Sequence, residues 1–188
     1  MNEENLVPSA HSTLVGDAIY LRVATADDIR LAHGWLLESD PQSVSCRPVT
    51  VLTPEEAAEK FKAAAKSSSQ ETFMVVRSVD DVPVGRIRFF DLNPRNLSAE
   101  IGLLIAPQER RKRYAEEAVE LLCRYLFQDR GLNKVHAQTA AYNKGACRLL
   151  EKIGFKKDGT LRRHYFWHGI FHDGFVYSLL RDELKISQ

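Results

Sequence analysis

The sequence predicts an α/β fold in which a mixed, mostly antiparallel sheet of about seven strands carries about four helices on its faces. Short runs rich in β-branched and aromatic residues alternate with longer amphipathic segments, in the order β-α-α-β-β-β-α-β-α-β-β. The three central strands follow one another through tight turns, which is typical of an antiparallel meander. No repeat or linker interrupts this order, so we expect one domain.

The first elements are predicted from strand alternation and helix-start signals. Residues 13–24 alternate and are rich in β-branched residues, which favours a strand. A helix follows Thr25, because Asp28 three positions later completes a capping box. The second helix starts in the same way, with Thr53 as its cap and Glu56 as the reciprocal carboxylate.

The later elements are predicted by the same kinds of signal. The meander strands lie within residues 72–79, 84–92 and 98–106. They are followed by a helix over 114–130 capped by Gly131, a strand over 134–141 and a helix over 144–153 that stops at Gly154. Two aromatic-rich strands end the chain and meet near Gly169.

Size and composition predict a globular protein of ordinary type. The chain has 188 residues, 44% hydrophobic and 27% charged, and we expect residues 1–12 to be a flexible tail and 13–188 a single domain. No apolar run reaches the roughly 20 residues that span a bilayer, and the first residues lack the regions of a signal peptide. We therefore expect a cytoplasmic protein that binds no membrane.

Charge and cysteine content exclude other classes. The 26 basic and 25 acidic residues give a net charge of +1, so no global field attracts nucleic acid, and any basic function is local to the run Arg110–Arg113. Cys46, Cys123 and Cys147 are widely spaced without a CxxC pair, which favours reduced thiols over a disulfide or zinc framework.

Three segments carry a family resemblance. They are "AEIGLLIAPQERRKRYAEEA" at 99–118, "NKGACRLLEKIGFKKDG" at 143–159 and "LRRHYFWHGIFHDGFVYSLLRDE" at 161–183. In this order they resemble the GNAT superfamily of N-acetyltransferases, in particular the Rim-type branch with its ribosomal-protein N-terminal, polyamine and amino-sugar acetyltransferases. The resemblance covers residues 16 to 184 and implies acetyl-CoA as co-substrate.

The loop before the third helix departs from the family signature. In [QR]xxGx[GA], Arg110 and Ala115 fit the ends, but Arg113 replaces the usual glycine and Arg111 replaces another common one. Glycine permits positive φ, and we expect an arginine to keep an ordinary φ and to direct its side chain elsewhere. The loop still precedes a helix N-terminus, where N–H groups and the dipole favour anions, and arginine side chains grip phosphate well.

The resemblance therefore implies a remodelled pyrophosphate site. The residues it assigns to the cofactor are Leu103, Leu104, Ile105, Arg110, Arg111, Lys112, Arg113, Tyr114, Ala115, Asn143 and Arg148. Asn143 also fits a plain helix cap, and Arg148 a solvated helix face. The alternative for the loop is a solvated basic turn on a domain that no longer binds the cofactor.

Acetylation of an amine requires a base, because an alkylamine with a pKa of about 10.4 is almost fully protonated at pH 7. Glu100 is the candidate, since it places a carboxylate in an otherwise apolar strand, where burial is expected to raise its pKa. The alternative is a strand glutamate on a wet face or in a salt bridge. The resemblance assigns the oxyanion to a backbone N–H near Leu104 or Ile105.

The leaving thiolate needs a proton. Family members supply it from a tyrosine or a serine, but the corresponding positions hold Leu150 and Ala146. Among the available phenols, Tyr142, Tyr165 and Tyr177, we favour Tyr165 in the closing hairpin as the catalytic acid. Cys123 and Cys147 fall within helices without a paired histidine, which argues against a thiol nucleophile.

The resemblance implies an acceptor site between the region after the first helix and the closing hairpin; the alternative for the hairpin residues is a packed or stacked hairpin surface. Trp35 and Asp40 stand on one side, and Trp167 and His168 on the other. His164, His168 and His172 are spaced four apart, but in a hairpin this spacing does not form a metal-binding face, so no metal is expected. A protein N-terminus, a polyamine and an amino sugar stay open as acceptors, and the branch often dimerises. The alternative function is a non-catalytic acyl-CoA-binding or protein-interaction module with a degenerate phosphate loop.

Overall fold

A computed structural model of the chain describes residues 14–39, 52–64 and 69–184; the predicted tail, Asp40 and Cys46 lie outside this part. Its strands are β1 (Ile19–Val23), β2 (Glu71–Arg77), β3 (Val82–Asn93), β4 (Ser98–Ile105), β5 (Lys134–Ala140), β6 (Lys156–Trp167) and β7 (Ile170–Leu180). Its α-helices are α1 (Ala26–Glu38), α2 (Pro54–Ala64), α3 (Tyr114–Gln128) and α4 (Lys144–Ile153). The predicted element order is confirmed.

The strands form one sheet in the order β1-β2-β3-β4-β5-β7-β6. Every neighbouring pair is antiparallel except β4 and β5, which run parallel. The α/β prediction of a mixed, mostly antiparallel sheet is therefore confirmed. The single parallel pair arises because α3 crosses between β4 and β5.

The predicted helix starts are also confirmed. Thr25 and Asp28 form a reciprocal capping box, and the Asp28 carboxylate also accepts two hydrogen bonds from Arg22, at 2.6 and 2.8 Å. At α2 the Thr53 hydroxyl accepts from the backbone N–H of Glu56, whose carboxylate accepts from Thr53 N–H. These side chains satisfy backbone donors that have no partner within the helix.

The first strand is shorter than predicted, because residues 14–18 turn back instead of extending. Gly16 N–H donates to the Ile19 carbonyl, and Ala18 N–H donates to Glu117 Oε1 of α3 at 2.9 Å. A Cβ at position 16 would lie 2.2 Å from the same oxygen, so a larger residue there would have to displace the Glu117 carboxylate. A contact this distant in sequence leaves no signal in the local pattern.

Two cores cover the two faces of the sheet. The larger packs α3 and α4 against strand residues that include Phe73, Ile87 and Tyr177. The smaller packs α1 and α2 against residues that include Met74 and Leu104. Within the described ranges, no helix is both long and apolar enough to cross a membrane.

The sheet splits between β4 and β5. Their pairing runs from Ser98 with Lys134 to Glu100 with His136 and then stops. Beyond that point β4 continues to Ile105 beside β3 alone, while β5 continues to Ala140 beside β7 alone. The two strands diverge, and a gap opens in the middle of the sheet.

Candidate active site

The gap between β4 and β5 leads into a cavity of about 640 Å³. Its walls come from β3, β4, β5, α1, α3, α4 and the β6–β7 hairpin, and they include Leu103, Leu104, Glu100, Asn143, Leu150 and Tyr165. Residues far apart in the chain, and singled out by separate sequence signals, therefore meet in one place.

The β4 backbone directs hydrogen-bonding groups into the gap. Ala106 N–H donates to the Val84 carbonyl of β3, which makes Gly85 and Ile105 a non-hydrogen-bonded pair. The N–H groups of Ile105 and Leu103 therefore point away from β3, toward the gap, whereas that of Leu104 points toward β3. Of the two residues predicted near the oxyanion, Ile105 is the one whose backbone donor faces the opening.

The loop from β4 to α3 contradicts the prediction that its arginines keep an ordinary φ. Arg111 has φ 64° and Arg113 has φ 69°, both in the left-handed region. Arg113 is the N-cap of α3. The chain thus has at these two positions a backbone conformation that glycine adopts freely, and both arginine side chains project into solvent.

The four cations of this loop have different surroundings. Arg110 is tied into the protein, donating to the Ile105 carbonyl at 3.3 Å and to Ser39 Oγ at 2.6 Å. Lys112 pairs with Glu109 at 2.9 Å. Arg113 lies 3.8 Å from Glu116 with 80% of its side chain exposed, and Arg111 makes no hydrogen bond or ion pair with the described residues.

The loop backbone presents a group of donors. The N–H groups of Arg111, Lys112, Arg113, Tyr114 and Ala115 make no backbone hydrogen bond within the described part of the chain. They surround the N-terminus of α3, where the helix dipole adds positive potential. Such a cluster is suited to an anion that approaches the backbone closely.

Glu100 lies at the inner end of the gap, where the β4–β5 pairing stops. Its side chain is 13% exposed, and Oε2 accepts from Gln138 Nε2 at 3.4 Å. His136 Nε2 is 3.8 Å from the same oxygen. Burial, followed by the charge of Lys134, lowers the pKa of His136, so this imidazole is neutral at pH 7.

The start of α4 forms the β5 side of the cavity. Asn143 is the N-cap, with Oδ1 accepting from Ala146 N–H at 3.2 Å, and it also lines the cavity. Both Ala146 and Leu150 line the cavity too. The positions at which the family carries a serine or a tyrosine therefore face the site, although neither residue here offers a hydroxyl.

Tyr165 is the phenol placed in the cavity wall. Its ring lies over Gly174, where an added Cβ would be 2.8 Å from Tyr165 Cε2, so the glycine makes room for the ring. Asp173 Oδ1 accepts from Arg163 N–H at 2.8 Å beside the register shift that precedes Tyr165. Tyr177 is buried and donates to Glu151, while Tyr142 stacks on Trp167.

Several predicted site residues lie away from the cavity wall. Trp35 is 5% exposed and packs in the smaller core. Arg148 is exposed on α4. His168 has φ 48° and forms the hairpin turn with Gly169, and its ring packs edge-on against Trp167. Their roles stay predictions, and in this structure none of them, Trp167 included, lines the cavity.

Sequence reasoning missed two arginines of β3. Arg86 and Arg88 both line the cavity, as does the exposed His164. The signal was present in "GRIRFF", where two cations stand two residues apart in an apolar strand. The same reasoning that singled out Glu100 applies to them.

The described cysteines do not serve the site. Cys123 and Cys147 are free and buried within α3 and α4. Burial raises the pKa of the Cys123 thiol far above its usual range, so almost no thiolate forms at neutral pH. Neither Cys123 nor Cys147 is among the residues that line the cavity.

Comparisons with known proteins agree with this geometry. Residues 18–156 match the model of the acetyltransferase (GNAT) domain family. The chain is 30% identical over 115 residues to the SPbeta prophage-derived uncharacterized N-acetyltransferase YokL of Bacillus subtilis, covering 61% of this chain and 64% of that protein. It is 35% identical over 98 residues to the uncharacterized N-acetyltransferase YoaA of the same organism, covering 52% and 55%. The chain thus spans less than two thirds of both relatives.

A solved structure resembles the fold over most of its length. The crystal structure of spermidine N-acetyltransferase from Vibrio cholerae, in complex with CoA and spermine, superposes with a TM-score of 0.83 at 22% identity. The match covers 89% of this chain and 98% of that one. At this level of identity the likeness shows the shared fold.

Proposed function

Since the chain belongs to the GNAT family of acetyltransferases, we propose that it transfers an acetyl group from acetyl-CoA to a primary amine by direct attack. The observation that carries the proposal is the split of the sheet. It turns the donors of Leu103 and Ile105 toward the gap whose inner end holds the carboxylate of Glu100, and β4 runs on from there to the loop at the start of α3.

The backbone of this opening fits the two halves of CoA. The outward N–H and carbonyl groups of Leu103 and Ile105 suit the amides of the pantetheine arm, as an added strand would. Asn143 stands opposite at the start of α4. The N–H groups of 111–115 suit the pyrophosphate, with the exposed side chains of Arg111 and Arg113 nearby.

The chemical step uses groups of the cavity wall. The amine nitrogen attacks the thioester carbonyl carbon, Glu100 accepts the amine proton, and the carbon–sulfur bond breaks as the amide forms. The outward-facing N–H of Ile105 or Leu103 stabilises the oxyanion of the tetrahedral intermediate. The thiolate takes a proton from Tyr165. The fully buried thiol of Cys123 is too basic and too inaccessible to form an acyl-enzyme.

Release of free thiol from acetyl-CoA tests the proposal when it is measured against a panel of amines, namely N-terminal peptides, spermidine and glucosamine. We expect at least one class of amine to accelerate release well above the rate without acceptor. If no amine does so while CoA still raises the melting temperature, the chain is a CoA-binding module. If no amine accelerates thiol release and CoA does not raise the melting temperature, the assignment of the site is wrong.

A further inference from the structure

Arg86 and Arg88 form part of the wall between the active-site cavity and a second cavity of about 460 Å³ beneath α1 and α2. They stand two residues apart on β3 and so share a face of the sheet. The register places Arg86 opposite Leu104 and Phe90 opposite Glu100, which puts Glu100 on that face as well. The two cations and the proposed base therefore border the same space.

Arg88 lies against the ring of Phe90, opposite Gly102 in the register. Its guanidinium is 4.4 Å from the centroid of that ring. The cation is thereby held against the sheet next to Glu100.

Arg86 is the more unusual of the two. It is half-buried and makes no hydrogen bond or ion pair with any described residue. Burial, followed by the charge of Arg88, lowers its pKa to about 10, yet the guanidinium keeps its proton at neutral pH. Every fully inaccessible side-chain nitrogen or oxygen of the described residues has a partner, so the unpaired nitrogens of Arg86 reach open space.

Among the residues that the structure describes, three carboxylates line the two cavities: Glu71, Asp91 and Glu100. Glu71 accepts from Arg130 at 2.6 Å and from Tyr125 at 3.3 Å, so it is already engaged. Asp91 is exposed at the far end of β3, and Glu100 is the proposed base. A polyamine would have to place a second ammonium group beside two guanidinium groups, and like charges oppose that arrangement. A charge withdrawn from water instead favours an anion as its neighbour.

Building on the proposed acetyl transfer, we propose that the acceptor is a small primary amine that carries a carboxylate or a phosphate, bound by Arg86 with Arg88 beside it. Arg86 is then a specificity-determining residue. Its bidentate donors fit either oxyanion, and binding relieves the repulsion between the two arginines.

Matched acceptors test this proposal. The measured quantity is kcat/KM for the amine at a fixed concentration of acetyl-CoA. Two anionic amines are each compared with a neutral counterpart: β-alanine with β-alaninamide, and 2-aminoethyl phosphate with ethanolamine. Spermidine is measured as the polyamine. We expect one anionic member to exceed its neutral partner by about tenfold to 100-fold, the usual contribution of hydrogen bonds to a charged group. The two pairs distinguish carboxylate from phosphate recognition.

Variants assign the preference to the arginine. Arg86→Met should remove the preference for the anionic amine, Arg86→Lys should retain part of it, and Arg95→Met on the exposed β3–β4 turn should leave it unchanged. Calorimetric binding of the same amines to the CoA complex separates this proposal from acetyl transfer itself. Preferential binding of an anionic amine, lost in Arg86→Met, supports it even without turnover.

Equal use or binding of neutral and anionic amines, or spermidine as the best ligand, overturns the proposal whether or not product forms. The wild-type preference decides this even if Arg86→Met fails to fold, since it is measured on the unmodified chain. Retention of the full preference in Arg86→Met overturns the assignment to this residue.

Discussion

Arg111 and Arg113 adopt left-handed backbone conformations, which cost an L-residue with a side chain roughly 1–2 kcal/mol each. The two residues are two positions apart, directly before α3. Their conformations indicate that the loop has the geometry of a glycine-containing loop although it contains no glycine. The exposed side chains are then available to a ligand in addition to the backbone N–H groups. The contributions of the loop backbone and of the arginine side chains to CoA affinity can therefore be measured separately.

Arg113→Gly should stabilise the fold and preserve CoA binding. Glycine adopts φ 69° without a steric penalty, so the free energy of unfolding should rise by about 1 kcal/mol. Chemical denaturation and CoA titration measure the two effects. Arg95→Gly, at an exposed turn residue outside the positive-φ group, is the control and should not stabilise. A tenfold or greater loss of CoA affinity in Arg113→Gly alone would show that this side chain is the main ligand.

Glu100→Gln should lower kcat by about 100-fold or more while the CoA dissociation constant stays the same, because it removes the base and keeps the shape of the side chain. Steady-state kinetics and CoA titration measure both quantities. Glu59→Gln on the exposed face of α2 serves as the control. An unchanged kcat would remove Glu100 from the mechanism.

His136 should make stability depend on pH. Its pKa is lowered in the folded state, so the unfolded chain binds this proton more tightly, and folding stability falls as pH drops through and below about 6.5. His136→Gln should lose that contribution. Denaturation curves at pH 5.5 and 7.5 for both proteins measure the difference; equal pH dependence in the two would contradict the prediction.

Among the helices, α1 is tied to the neighbouring strand β1 by one carboxylate at its start. Asp28 is 8% exposed and accepts from Arg22, Thr25 N–H and Thr25 Oγ1, tying the helix start to β1. Burial by itself raises the pKa of this carboxyl, but the hydrogen bonds from Arg22 and Thr25 outweigh it, and the pKa is lowered overall. The helix forms one wall of both cavities, so its anchoring matters for the site.

Asp28→Asn should lower the free energy of unfolding by roughly 3 kcal/mol, because it leaves the mostly buried Arg22 without its counter-ion. Asp27→Asn is the matched control, since Asp27 is 90% exposed and its pair with Arg30 lies in solvent. Urea denaturation compares the two variants. An equal loss of unfolding free energy in the two variants would show that the buried Arg22–Asp28 pair stabilises the fold no more than the exposed Asp27–Arg30 pair does.

In the molecule as a whole, local sequence signals predict the strands and helices, whereas contacts between distant residues determine the bend before β1 and the gap in the sheet. Capping boxes, alternation and turn residues were enough for the order of strands and helices. The bend at Gly16 was not predictable, because its cause is Glu117, about 100 residues away. Likewise, no local pattern shows that β4 and β5 separate after Glu100, and that separation creates the cavity.

The contrast between local signals and long-range contacts also explains which residues of the candidate site could be predicted from the sequence. Glu100 and Tyr165 could be selected from the sequence because a polar group in an apolar strand and a motif position are local features, and the structure places both in the cavity. The arginines of β3 carried an equal local signal, but only the register shows that they face Glu100. The prediction of an ordinary φ for Arg111 and Arg113 is wrong, because the path of the loop and not the residue type determines φ at these positions.

Acetyl transfer is tested by following the acetyl group itself. The chain is incubated with acetyl-CoA that carries deuterium in its acetyl group and with the panel of amines, and the products are identified by mass spectrometry. Acetyl transfer predicts the deuterated acetyl group on the amine nitrogen, in an amount equal to the free CoA released and strongly reduced in Glu100→Gln. Label recovered only as acetate, or only in unreacted acetyl-CoA, would contradict acetyl transfer to an amine.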